Sequence, residues 1–137
     1  MSQQWTFQVT TRGRGTIEIT DRVNEFIVGA NVDVGIAHVF VRHTSCSLCI
    51  TENADPAVRA DLETLARRWA PDGDPAYHHN QEGTDDMAAH ARSVLAGESV
   101  TVPVAKGCLL LGTWQGIFLW EHRTGSHKRD IVLTVIS

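Results

Sequence analysis

Apolar and polar positions alternate along Trp5–Thr11, where Trp5, Phe7 and Val9 share one face, and again along Thr16–Thr20, where Ile17 and Ile19 are in phase. A period of two belongs to a half-buried strand, and Gly13 and Gly15 break the chain between the two runs, so the segment reads as a β-hairpin. Asp21 caps a helix running to about Ala30, with Val23, Phe26 and Ile27 as its inner stripe. Ile36–His43 and Ser47–Asn53 read as strands. Asp55-Pro56 sets a capping carboxylate before a proline at the first helical position, and Val58, Leu62, Leu65 and Trp69 follow at helical spacing until Pro71. Residues 71–83, with two Pro, two Gly and the pair His78-His79, read as a loop. Thr84 then caps a helix to about Leu95, whose stripe is Met87, His90, Ala91, Val94 and Leu95, and Gly97 ends it. Ser99–Val104, Cys108–Leu111, Ile117–Arg123 and Asp130–Ile136 are strand-like. Strands and helices are segregated, which predicts one compact α+β domain over residues 1–137, largely antiparallel sheet with two to three helices.

Several of these apolar patterns carry ionisable residues. His43 closes a strand in phase with Val39 and Val41; Glu52 follows Leu48 and Ile50; Glu121 and Arg123 follow Ile117 and Leu119. Three strands ending this way suggest a polar pocket at one end of a sheet, although each alone is also read as an exposed strand end. His90 lies on the inner stripe of its helix, with Asp86 four residues earlier on the same side, where a carboxylate orients an imidazole; a core histidine bonded to backbone is the plainer reading. His43, His79 and His90 form a candidate three-histidine set with an open fourth position, suited to a catalytic divalent ion, zinc first and magnesium second. His38 is opposite in phase to His43 and reads as structural or exposed. The carboxylate of Glu121, partly desolvated, is expected to have a raised pKa suited to proton transfer.

Other patterns are weaker. Cys46 and Cys49 have the spacing of a thiol or zinc motif, but on a strand an interval of three puts them on opposite faces. Ser45 lies near His43, yet no GxSxG elbow occurs in the chain. In Gly112-Thr113-Trp114-Gln115-Gly116, a Trp and a Gln sit between glycines, which reads either as a hairpin with a packed Trp or as backbone approaching a ligand with Trp114 or Gln115 lining its pocket. Arg123, Lys128 and Arg129 make a basic cluster that suits an anionic ligand, phosphate above all, or else a solvated turn.

Composition narrows the field. With 12 Lys+Arg against 16 Asp+Glu the net charge is −4, which leaves no phosphate-tracking surface for nucleic acid. The apolar run near Val132–Ile136 is too short for a bilayer, no export signal is visible at Met1–Gln4, and three Cys without such a signal place the chain in a reducing cytoplasm.

Taken in order, His43-Thr44-Ser45, Glu52-Asn53, His79, Asp85-Asp86-Met87 with His90, Gly97, Pro103, Gly107, Leu111-Gly112-Thr113-Trp114-Gln115-Gly116 and Glu121-His122-Arg123 closely resemble the YjbQ family, often named secondary thiamine-phosphate synthase. Nearly the whole chain takes part; the proline that the family has after Met is Ala88 here, and Cys46 and Cys49 are not family positions. The resemblance implies a small α+β fold that forms a homotrimer, a site near subunit interfaces built from the His and acidic positions, and a bound metal in at least some members. It also implies a secondary activity joining a pyrimidine pyrophosphate to a thiazole phosphate with loss of pyrophosphate. On this reading the chain is a cytoplasmic metal-dependent enzyme acting on a small phosphorylated substrate. His43, His79 and His90 hold the metal; Glu121, Asp86 and Glu52 are the catalytic candidates; Thr44, Ser45, Asn53, Trp114, Gln115, Arg123 and Arg129 are the substrate-binding ones. The rivals are a non-enzymatic metal or small-ligand binding protein and a metal-assisted hydrolase.

Overall fold

Period-two patterning turns into two antiparallel sheets. The computed structural model describes residues 1–137 as β1 (Ser2–Thr10), β2 (Gly15–Glu18), α1 (Thr20–Ala30), β3 (Val34–Val41), β4 (Cys46–Glu52), α2 (Pro56–Trp69), α3 (Asp86–Ala96), β5 (Ser99–Ala105), β6 (Cys108–Leu109), β7 (Gln115–Glu121) and β8 (Lys128–Ile136). The larger sheet has the order β1-β8-β3-β5-β6 and the smaller β2-β7-β4. Their apolar faces meet in one core: Phe7, Val9, Val39, Val41, Val102, Val104, Ile131 and Leu133 from the larger sheet, Leu48, Ile117 and Leu119 from the smaller, closed by Val23 and Ile27 of α1. Each such side chain contributes about 1.5–3 kcal/mol on burial, so this layer dominates the stability.

The expected hairpin of the first two strands does not form. β1 pairs with β8, Phe7 opposite Ile131, while β2 pairs with β7, Ile17 opposite Leu119. Gly13 (φ 108°) and Gly15 (φ 143°) serve a crossing between sheets instead. A Cβ on Gly13 would lie 3.1 Å from the Thr124 carbonyl oxygen, so the crossing chain passes too close for any larger residue to sit without strain.

The helices depart from their expected stripes. α1 starts at Thr20, with Asp21 inside the first turn rather than capping it. α2 is capped as its sequence requires, Asp55 Oδ1 accepting the Ala57 N–H at 2.9 Å, but Trp69 is 56% exposed and Ala66 is the one residue of the helix fully buried. α3 is rotated further: Val94 is 83% and Leu95 66% exposed, and the buried side carries Asp86, Ala88, Ala89, Arg92 and Ser93. Small side chains let α3 lie close on β4, where the Ser93 hydroxyl donates to the Cys46 carbonyl at 2.9 Å. No helix is long and apolar enough to cross a membrane, and all three cysteines are free thiols. Burial pushes the Cys46 thiol up to about 12 and that of Cys49 to about 11, so neither is poised as a nucleophile.

Candidate metal centre

The first turn of α3 builds the site. Asp86 and His90 stand one turn apart on one side of the helix, with His90 Nε2 3.2 Å from Asp86 Oδ2. The same oxygen lies 2.7 Å from His79 Nε2, delivered by the loop between α2 and α3. That loop is tied to itself by the Gly73 N–H on the Thr84 carbonyl at 2.9 Å and the Tyr77 hydroxyl on the Pro71 carbonyl at 2.8 Å. The ligand atoms of His79, Asp86 and His90 lie within 4.8 Å of one another, with the two imidazole rings edge to face at 5.2 Å between centroids.

Behind the triad, Asp86 is held from its other oxygen. Its side chain is only 4% exposed, and Oδ1 meets Arg123 Nη1 at 2.9 Å. The same guanidinium donates from Nε to Asp85 Oδ2 at 2.9 Å and from Nη2 to the Glu82 carbonyl at 3.0 Å, while Asp85 Oδ2 also accepts the Thr124 N–H at 2.9 Å. Burial pushes both carboxyls up, but the donors outweigh it. Asp85 is pulled down to about 2 by Thr124 and Arg123, and Asp86 is held below the usual carboxylate value by His79, Arg123 and His90. Both are therefore anions at neutral pH.

The remaining candidates are distributed elsewhere. His43 does not join the triad: its Nε2 accepts the Asp130 backbone N–H at 2.7 Å. Glu121 is fully buried and engaged by Arg129 Nε at 2.8 Å and the Thr11 hydroxyl at 2.6 Å. Burial alone would raise its pKa, but Arg129, Thr11 and the Arg123 N–H outweigh that and the carboxyl lies below its ordinary value, which overturns the expectation of a raised one. Arg129 gives Nε and Nη2 to this pair and Nη2 also to the Ser45 hydroxyl at 3.0 Å, and Arg123 gives its three nitrogens to Asp85, Asp86 and the Glu82 carbonyl, so both guanidiniums are committed to carboxylates.

Glu52, Asn53, Trp114 and Gln115 form a separate group. In the β4–β7 ladder Glu52 faces Gln115 and Cys46 faces Glu121, so the two groups occupy opposite ends of the same strands. Six residue steps separate these ends, about 20 Å at strand rise. There Gln115 Oε1 accepts the Gly112 N–H at 2.8 Å, the Asn53 N–H donates to the Trp114 carbonyl at 3.0 Å, and Glu52 accepts the Asp55 N–H at 3.1 Å. These bonds close a turn and start α2. Thr44 is exposed beside His43, and His38 pairs with Thr101 at 2.9 Å on the outer face.

One polar residue escaped the sequence reading. His122 is wholly buried, with Nε2 2.7 Å from the Ser47 hydroxyl and Nδ1 without a partner. Desolvation, aided by Arg92, depresses its pKa to about 3, so it is a neutral core histidine. Its neighbours Glu121 and Arg123 drew attention to the wrong chemistry; only the near-complete burial of β7 on both faces would have marked it.

Two imidazole nitrogens and one carboxylate oxygen in contact, with no backbone carbonyl among them, are the donor set of zinc and similar transition ions rather than of magnesium, which prefers oxygen. Asp86 Oδ2 faces the Nε2 atoms of both imidazoles, at 2.7 and 3.2 Å, so the three ligand atoms converge on one point from a helix and the loop before it.

Comparison with known proteins covers nearly the entire chain. A family model described as UPF0047 protein YjbQ-like matches residues 5–137. The chain is 43% identical over 136 residues to the UPF0047 protein YjbQ of Salmonella typhimurium, covering 98% of both, and 42% identical over 127 residues to a UPF0047 protein of Synechocystis, covering 93% of this chain and 86% of that one. Among solved structures, a hypothetical protein of Aeropyrum pernix superposes with a TM-score of 0.90 at 28% identity over 98% of both chains. A conserved hypothetical protein of Thermus thermophilus does so with 0.83 at 35% identity, over 93% of this chain and 97% of the other.

Proposed function

The chain belongs to the YjbQ-like UPF0047 family, and from that premise and the triad we propose that it is a metal-dependent enzyme acting on a phosphorylated small molecule. One observation carries the reading: His79, Asp86 and His90 offer three ligand atoms within 4.8 Å, on a carboxylate whose far side is fixed by Arg123. Zinc is the ion this set favours, and its two imidazole nitrogens argue against magnesium, the other expectation from the sequence. A bound ion would supply positive charge to a phosphoryl or water oxygen. The chain's own residues do the rest. His79 and His90 present imidazole nitrogens, Asp86 presents an anion, and Arg123 with Asp85 fixes the plane of the Asp86 carboxylate. The ring of His79 is open to solvent, which leaves a side of the triad free for a ligand.

The reaction we propose to assay is the one implied by the family resemblance: a pyrimidine pyrophosphate and a thiazole phosphate joined with release of pyrophosphate, as a secondary activity. We further propose a cytoplasmic homotrimer. Recognition of the phosphate is assigned to the ion and its surroundings, not to Arg123 or Arg129, since carboxylates engage both.

The test is zinc titration by calorimetry with elemental analysis of the purified protein. Wild type should bind one zinc per chain. His79→Ala, Asp86→Asn and His90→Ala should each weaken it by about 100-fold or more, since one of three ligands is lost. Arg123→Lys keeps the charge but not the fork and should weaken it about 10- to 100-fold. Equal affinity in wild type and His90→Ala would overturn the centre. Stoichiometric zinc without turnover of any phosphorylated substrate would favour a binding protein over an enzyme.

A further inference from the structure

Resting on the metal reading of the triad, and deepening it, we propose that His43 is a fixed hydrogen-bond donor, not a ligand, whose Nδ1–H binds an oxygen of a phosphate-like oxyanion held at the triad. His43 and His90 line one hollow of about 310 Å³, shared with Thr44, Ser93, Val94 and Glu98. The direction of the His43 imidazole follows from a backbone bond. The Asp130 N–H donates to Nε2 at 2.7 Å, so Nε2 holds a lone pair and the neutral ring carries its proton on Nδ1. Burial, and then Arg129, hold the ring below the ordinary histidine range, outweighing the Asp130 and Glu121 carboxylates that pull the other way, so the ring is neutral at physiological pH. With one nitrogen accepting from backbone and the other protonated, His43 has no lone pair left for a metal. Its Nδ1 has no partner within the chain, and the ring is 22% exposed.

The other groups in the hollow narrow the ligand. The Ser93 hydroxyl is engaged by the Cys46 carbonyl, and Val94 is apolar. That leaves the His43 Nδ1–H and the Thr44 hydroxyl as free donors, and Glu98 as the one carboxylate. A carboxylate repels an anion, so an oxyanion is confined to the His43–His90 end. His90 of the triad and His43 line the same hollow, so an oxyanion held at the triad has the His43 donor on the adjoining wall.

Side-chain amides separate the two ring nitrogens. Asn places its Nδ2 where His has Nδ1, whereas Gln reaches the Nε2 position and preserves an acceptor for the Asp130 N–H. The probe is inorganic phosphate, titrated into zinc-loaded and metal-free protein, alongside zinc affinity, thermal melting and the ¹⁵N tautomer spectrum of His43. We expect an Nδ1–H tautomer and unchanged zinc affinity in both variants. Phosphate binding by the zinc form should be about tenfold or more weaker in His43→Gln and near wild type in His43→Asn, even if the latter melts earlier. An Nε2–H tautomer, undiminished phosphate binding in His43→Gln, equal loss in both variants, or loss of zinc in both would overturn the proposal. If wild type binds no zinc, the metal reading fails separately. The order of phosphate affinities in the metal-free protein then decides: wild type and His43→Asn above His43→Gln upholds the donor, and any other order overturns it.

Discussion

Glu121 shows how a residue on a well-read strand can be given the wrong task. It lies with Ile117 and Leu119 on the buried face, as the alternation predicts, yet burial brought it a guanidinium, a hydroxyl and backbone N–H groups instead of a desolvated proton site. Glu121→Gln should therefore cost stability, about 3–5 kcal/mol for breaking a buried pair, measured by denaturant unfolding. Zinc affinity and turnover per folded molecule should stay near wild type; a selective loss of turnover would return Glu121 to the chemistry. Its folded pKa is depressed, so its contribution is present above the unfolded value and fades as pH falls through the folded one. His122 titrates in a different window. Its folded pKa of about 3 lies below the ordinary 6.5, so between these values the unfolded chain binds a proton that the native one refuses. Stability should decline as pH falls from about 6.5 toward about 3. In His122→Gln, which preserves a partner for Ser47, that slope should flatten, as melts at stepped pH would show.

At the scale of elements, the strongest local signals held and the weaker ones yielded to packing. Asp55-Pro56 starts α2 where expected, and Asp55→Ala should lower stability by about 0.5–2 kcal/mol with zinc binding unchanged, read from paired melting and calorimetry. β3, β4 and β5 lie within two residues of their sequence positions because long β-branched runs have few alternatives. The pairing of β1 was not legible, since alternation reveals a strand but not its partner, and β8 lies more than a hundred residues away. The stripe of α3 misled for another reason. Helical periodicity finds the apolar side, and here that side, Val94 and Leu95, faces outward while alanines, a serine and charged groups in ion pairs face the sheet. In the site, Asp86 and His90 were legible because a helix fixes their spacing. His79 lies on a loop whose return to Asp86 depends on tertiary bonds, and the divergence of Glu52 from Glu121 follows from antiparallel pairing alone.

For the whole molecule, the outward apolar side of α3, together with exposed Trp69 and Leu65 on α2, is the surface a partner copy would cover. Light scattering at micromolar concentration should give about three times the chain mass of 15.1 kDa. Leu95→Asp should shift it toward the monomer while leaving the fold intact by circular dichroism. A wild-type monomer would defeat the assembly and remove the reason for α3 to turn its leucine outward.

The position of β8 has a consequence for synthesis. It sits between β1 and β3, pairing with both, yet it follows every other strand in the chain. A nascent chain that has emerged only through β7 therefore leaves β1 without any partner strand and β3 with one open edge, with Phe7 and Val9 on the first and Val39 and Val41 on the second. Such edges accept any extended segment nearby. The larger sheet closes in a single late event across the longest loop the chain contains, which is slow for pairings of high sequence separation. During that interval the open strands of one unfinished chain can pair with those of another, so the concentration of nascent chains sets how often the sheet is mispaired.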